Sequence, residues 1–201
     1  MGSPRIPLEP GGVYHIFNHA VGSDDLFREE ENFLFFLRKI SSRLVSFADM
    51  YAYCLMPNHF HFVLRIKERT HLDTLWKDRK NKKNLSALEF YDKLITAEFA
   101  NLFNAYVQAY NRKYFRQGSL LKESFQRKRI DTTQYLIKLI CYVHNNPVNH
   151  GFAKREGWKY SSFNAFMSDK NTLVLREEVL EMFGGRENFE FVHQQNLGFE
   201  P

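Results

Sequence analysis

Cysteine is scarce in this chain: two residues in 201, Cys54 and Cys141, each isolated inside an apolar segment. That usage excludes a disulfide framework and fits buried thiols in a reducing compartment. No apolar run reaches membrane-spanning length, so no membrane partner is expected. No secretory signal is recognisable, and there is no internal repeat or low-complexity tract. These absences predict a cytoplasmic protein, and a length of 201 residues predicts one domain with a terminal appendage. Apolar residues, in contrast, make up 44% of the chain, and phenylalanine alone occurs 20 times, enough for a sizeable core.

Charge is distributed unevenly around a formal net value of +5. Arg112, Lys113, Arg116, Lys122, Arg127, Lys128 and Arg129 fall in one stretch that holds a single acid, Glu123. Tyr110, Tyr114, Phe115 and Phe125 are interleaved with these cations. Cations that neutralise phosphate, mixed with rings that stack on unpaired bases, point to a polyanion partner. A second basic patch, Lys77, Arg79, Lys80, Lys82 and Lys83, reads equally well as a solvated face. The C-terminal part is comparatively acidic, with Glu177, Glu178, Glu181, Glu187 and Glu190.

Residue periodicity predicts strands over 12–18, 50–56, 59–66 and 123–130, with Pro57-Asn58 turning the second into the third. Amphipathic helices are expected over 29–47, 86–113 and 132–145. Asp131 or Thr132 is the N-cap of the last, and Pro147 its stop. Residues 68–84 read as a polar loop with at most one helical turn. The order strand, helix, strand, strand, helix, strand is the split βαβ arrangement. It predicts an α+β fold: a ferredoxin-like four-stranded antiparallel sheet with helices on one side. Residues 1–170 then form the main domain and 171–201 a C-terminal helical extension. Many activities use this architecture, including non-catalytic RNA-binding modules.

Two short patterns carry chemistry. In "MPNHFHFVL", His59 and His61 lie two apart in a strand and therefore share a face, with Phe60 and Phe62 on the other. Two imidazoles so spaced can converge on one cation, or they can be unrelated polar residues on the wetter face of a sheet. In "YLIKLICYVHNNPVNHG", Tyr142 and Asn146 are four apart on one helical face, with Tyr135 two turns upstream. An amide oxygen suits a hard divalent cation, and a tyrosine hydroxyl beside it is a possible nucleophile. Read as ordinary core aromatics, the same tyrosines need no function.

Taken together, "MPNHFHFVL", "YNRKYFRQGSLLKESFQRKRI", "YVHNNPVNHG" and "WKYSSFNAF" resemble the single-tyrosine HUH transposases, and most closely the REP-associated tyrosine transposases of bacteria. The resemblance runs from about Gly11 to about Phe166. It implies that His59, His61 and Asn146 hold a divalent cation and that Tyr142 is the nucleophile; Mg²⁺ or Mn²⁺ suits phosphate chemistry with oxygen ligands, and two imidazoles also accept Zn²⁺. It also implies cleavage and rejoining of single-stranded DNA, with hairpins, through a 5′-phosphotyrosine link. The basic stretch Arg112–Arg129 would be the DNA-binding surface. Oligomeric state stays open between a monomer and a homodimer that shares active sites. Residues 80–98 depart from the pattern as an extra basic and polar insertion. The competing expectations are a domesticated, non-catalytic single-strand-binding protein and a metal-dependent hydrolase that uses water.

Overall fold

The computed structural model describes residues 5–79, 84–122, 124–152, 154–195 and 199. Strands β1 (Val13–His19), β2 (Ala48–Met56), β3 (His59–Ile66) and β4 (Gln126–Ile130) form one antiparallel sheet in the order β2-β3-β1-β4. Among the described residues the helices are α1 (Glu30–Arg43), α2 (Arg69–Leu75), α3 (Ala87–Lys113), α4 (Thr133–Asn149), α5 (Phe163–Phe166), α6 (Arg176–Phe183) and α7 (Arg186–Gln194). This is the expected ferredoxin-like sheet. None of these helices is long and apolar enough to cross a membrane. The expected loop at 68–84 contains α2. Lys80, Lys82 and Lys83 of the second basic patch lie outside the described residues.

Strand alternation sorts the core. Phe60, Phe62 and Leu64 of β3 face α1 and α3, where Phe36 and Phe103 meet Phe60 at ring separations of 5.4 and 5.2 Å. The helix starts are locally encoded. Ser86 Oγ accepts from the Glu89 amide while Glu89 Oε2 accepts from the Ser86 amide, a reciprocal cap for α3. Thr132 Oγ1 accepts from the Tyr135 amide and caps α4. The first turns of α3 belong to the core, since Tyr91 and Ile95 are buried, so the helical part of the expected insertion is integral to the domain.

Two sequence expectations need correction. Helices cover both faces of the sheet: α4 lies on the second face, over β2 and β3, and buries Leu139, Ile140 and Val143. The physical reason is that the second face is itself apolar near β2, with Ala52, Cys54, Met56 and Val63 fully buried. Helix α4 also runs past Pro147 to Asn149. Proline's fixed φ is compatible with a helix, and only the bond to the Val143 carbonyl is lost. The C-terminal segment shares the same core, with Val174 bridging Met50 and with Val179, Phe183 and Phe189 in the central cluster.

A buried polar chain ties α7, α4 and β2 together. His193 Nδ1 is 2.7 Å from the Phe189 carbonyl and must donate to it, which leaves Nε2 to accept from His144 Nδ1 at 2.8 Å. His144 Nε2 then accepts from Ser162 Oγ at 2.7 Å, and Ser162 Oγ accepts from the Tyr53 amide at 2.9 Å. Ser162 Oγ also lies 3.3 Å from the Tyr53 carbonyl, so the bonds alone do not set the charge of His144, and burial decides it. Burial holds His193 down at about 3 and His144 well below the usual imidazole value of 6.5.

Below about pH 6.5 the unfolded chain therefore binds protons that the fold refuses, and stability falls as pH falls. Denaturation of the protein should show stability declining from pH 7 to pH 4, by up to about 1.4 kcal/mol per pH unit for each ring that stays neutral. A flat profile over that range would contradict the neutral chain.

Candidate active site

The second face of the sheet carries the site. Antiparallel registers place His59 opposite His19 and His61 opposite Phe17, with His15 opposite Val63. Helix α4 runs antiparallel to β3 above them. Two strand residues advance about 6.6 Å and one helical turn of four residues about 6 Å, so the two elements stay in step. His61 accordingly faces Tyr142, ring centroids 5.7 Å apart and edge to face, while His59 faces Asn146. The His59 and His61 rings are 5.1 Å apart at 82°. The tetrad predicted from sequence is thus brought together by two elements of different chain regions.

Both histidines are buried, at 4% and 5% exposure, and not on a wet face. Burial lowers His59 to about 4 and His61 well below the usual imidazole range, so both rings offer lone pairs at neutral pH. His59 Nδ1 lies 2.7 Å from Asn58 Oδ1 and Nε2 2.9 Å from Asn146 Oδ1. A neutral imidazole has one N–H, so one of these nitrogens meets an amide oxygen with lone pair against lone pair. Asn146 meanwhile leaves its Nδ2 buried without a partner, the reverse of what hydrogen bonding to the ring favours. With the ring proton on Nδ1, a cation beside His59 Nε2 and Asn146 Oδ1 resolves that conflict. His61 Nδ1 is 2.9 Å from His15 Nε2, which leaves Nε2 as its free ligand nitrogen. The residues fit a divalent ion held by two imidazoles and an amide oxygen. Among the described residues no three His, Cys, Asp or Glu side chains form a ready-made metal cluster.

Sequence reasoning missed four neighbours. His15 and Asn58 orient the pair through the bonds just given. His19 stacks on His59 at 4.8 Å, and His150 packs edge-on to it at 5.2 Å. The signal was available: His15 and His19 alternate on β1, and His150 continues the stripe of Tyr142 and Asn146 by one more turn. Ending the helix at Pro147 hid it. Tyr142 is half-buried, and among the described residues its hydroxyl makes no hydrogen bond. It lines a groove of about 280 Å³ with Lys138, Asn145, Asn149 and Phe199. Tyr135 lies two turns up the helix, against Phe199 at 5.2 Å.

The basic stretch does not form one surface. Arg127 and Arg129 pair in register with Ile16 and Tyr14, on the face opposite the histidines. The Arg127 side chain is 2% exposed and bonds Asp92 of α3 at 2.8 Å, so it is a core ion pair and not part of a strand-binding surface. Arg129 pairs with Glu9, Lys113 with Glu29 and Glu31, and Arg116 with Asp24. Alternation instead leaves Lys128 on the histidine face, and Lys122 is joined by its amide to the His19 carbonyl at 2.9 Å. Arg112, Lys122 and Lys128 are exposed and have no ion pair among the described residues. Of the interleaved aromatics, Tyr110 and Phe125 are buried, while Phe115 is 97% exposed.

No protein-family model and no curated protein sequence matches the chain. Among solved structures it is similar to a REP-associated tyrosine transposase bound to a REP hairpin. The TM-score is 0.59 and the identity 15%, over 84% of this chain and 87% of that one. The two chains share a fold.

The division of the basic residues is open to a direct check. Arg127→Glu buries a carboxylate opposite Asp92 and should cost about 3 kcal/mol of stability in urea denaturation. Lys128→Glu, at an exposed position, should change it by less than about 0.5 kcal/mol. Equal, small effects would return Arg127 to the surface.

Proposed function

We propose that this chain is a tyrosine transposase of the HUH type, which cleaves and rejoins single-stranded DNA through a covalent link to Tyr142. The observation that carries the proposal is the meeting of β3 and α4, which sets Tyr142 against His61 and Asn146 against His59. His59, His61 and Asn146 would hold Mg²⁺ or Mn²⁺. The ion, when bound, neutralises the scissile phosphate and the charge that builds on it. The similar structure holds a REP hairpin, and a hairpin-bearing single strand is the substrate class we adopt. Cytoplasmic location, and action as a monomer or homodimer, belong to the same reading.

Tyr142 Oη gives up its proton as it attacks phosphorus, the bond from phosphorus to the 3′-oxygen breaks, and the departing oxygen takes up a proton, so none is consumed overall. The products are a 5′-phosphotyrosine and a free 3′-hydroxyl. The link keeps the energy of the broken diester, so a 3′-hydroxyl can attack it and restore a DNA strand with Tyr142 released. Helix α4 holds the phenol in place, since its neighbours Val143 and His144 are locked in the core. Lys122 and Lys128 supply cations on the same face for the strand backbone, so binding should weaken as salt rises.

Incubation with an end-labelled hairpin-bearing single strand, followed by denaturing electrophoresis, tests the reading. Wild type and Tyr135→Phe should yield a protein–DNA adduct, and Tyr142→Phe none. His61→Ala should lose the adduct by at least about 100-fold while keeping most of its strand affinity. Strand binding by wild type without any adduct would make the chain a non-catalytic binder. Free 5′-phosphate ends without trapped protein would indicate attack by water.

A further inference from the structure

The loop after α3 shows one side chain that the fold does not use. Phe115 is 97% exposed, and its backbone sits at φ +51°, in the left-handed region that bulky side chains avoid. The loop is not loose. The Arg116 guanidinium bonds Asp24 and the carbonyls of Gln117, Gly118 and Ser119, and Asn111 Nδ2 donates to the Gly118 carbonyl at 2.9 Å. Arg116 spends its donors on holding the turn, so the turn presents Phe115 outward in a fixed, strained conformation. Burial of the ring elsewhere, or a glycine at this position, would relieve both the exposure and the strain.

We infer that Phe115 is a stacking platform for an unpaired base of the DNA strand served by the candidate site. The inference rests on the function proposed above. Three observations select a base as the occupant. The neighbours Arg112, Lys113, Gln117, Gly118 and Ser119 are polar or small and exposed, so the ring stands alone. A single ring is far too small for a protein interface, which needs on the order of 1,000 Å², but it matches one nucleobase. Arg112, one helical position before Lys113, is an exposed cation with no ion pair among the described residues, available to the flanking phosphate. The loop also leads directly to the site. Leu120 accepts from the Val21 amide, Leu121 bridges Ala20, and the Lys122 amide donates to the carbonyl of His19, whose ring stacks on His59. Seven residues from Phe115 to Lys122 reach at most about 24 Å, a span that a short single-stranded segment covers.

The test uses a synthetic DNA hairpin flanked by oligothymidylate, with single thymines replaced in turn by 5-iodouracil. Ultraviolet cross-linking to the full-length protein, read by mass spectrometry, should locate one flank position that couples to Phe115. Phe115→Ala should weaken binding about tenfold and Phe115→Trp should preserve it, as stacking on a π-face requires. Phe115→Gly should raise the melting temperature, because glycine adopts positive φ freely, while weakening binding as alanine does. Unchanged affinity in Phe115→Ala and Phe115→Gly, with no cross-link at Phe115, overturns the inference while leaving strand processing intact. Loss of a dimer in sedimentation on Phe115→Ala, with DNA affinity unchanged, overturns it in favour of a protein contact. Absence of any strand binding by wild type at low salt overturns the function proposed above and this inference with it.

Discussion

His59 Nε2 and Asn146 Oδ1 meet at 2.9 Å across the seam between β3 and α4, and both residues are closed to water. The rest of the site depends on this alignment, because it marks the axial position of α4 over the strand. With Asn146 on His59, one helical turn back must fall two strand residues along, and Tyr142 meets His61. A shift of α4 by one residue would rotate Tyr142 about 100° off the seam. The fold can bring a phenol and an imidazole pair together only if that register is held.

The register is held by polar chemistry inside an otherwise apolar layer. The chain from the Phe189 carbonyl through His193, His144 and Ser162 to the Tyr53 amide pins the middle of α4 to both α7 and β2. His144 lies between Tyr142 and Asn146 and is fully buried, so the anchor and the chemistry occupy alternating sides of one helical segment. A fully satisfied buried network of this sort specifies position more sharply than aliphatic packing, which tolerates sliding. Burial keeps its rings neutral, so the same network that positions the site should lose stability as pH falls.

Much of this was legible in residue order. Alternation in "HFHFVL" gave the two faces of β3, and the spacing of four gave the stripe shared by Tyr142 and Asn146. What alternation could not give was the second layer: α4 covers the histidine face because Ala52, Cys54, Met56 and Val63 make that face apolar, and this emerges only when strands are paired. Reading Pro147 as a stop cost the His150 position, although proline's φ never forbade the helix. The basic stretch misled for a related reason. A run of cations in a strand alternates between faces, so Arg127 goes to the core with Asp92 and Lys128 to the histidine side, which a charge count along the chain cannot separate. The conformation of Phe115 was invisible to sequence patterns, because no local motif requires a phenylalanine at positive φ.

The central claim is that β3 and α4 together make a cation site from His59, His61 and Asn146, with Tyr142 at its side. Crystals of the protein soaked in Mn²⁺, with data collected at the manganese absorption edge, test it most directly. The account predicts a strong anomalous peak bonded to His59 Nε2, His61 Nε2 and Asn146 Oδ1 at distances of about 2.0–2.3 Å. A difference map without such a peak, with the His59–Asn146 contact unchanged at saturating Mn²⁺, would contradict it.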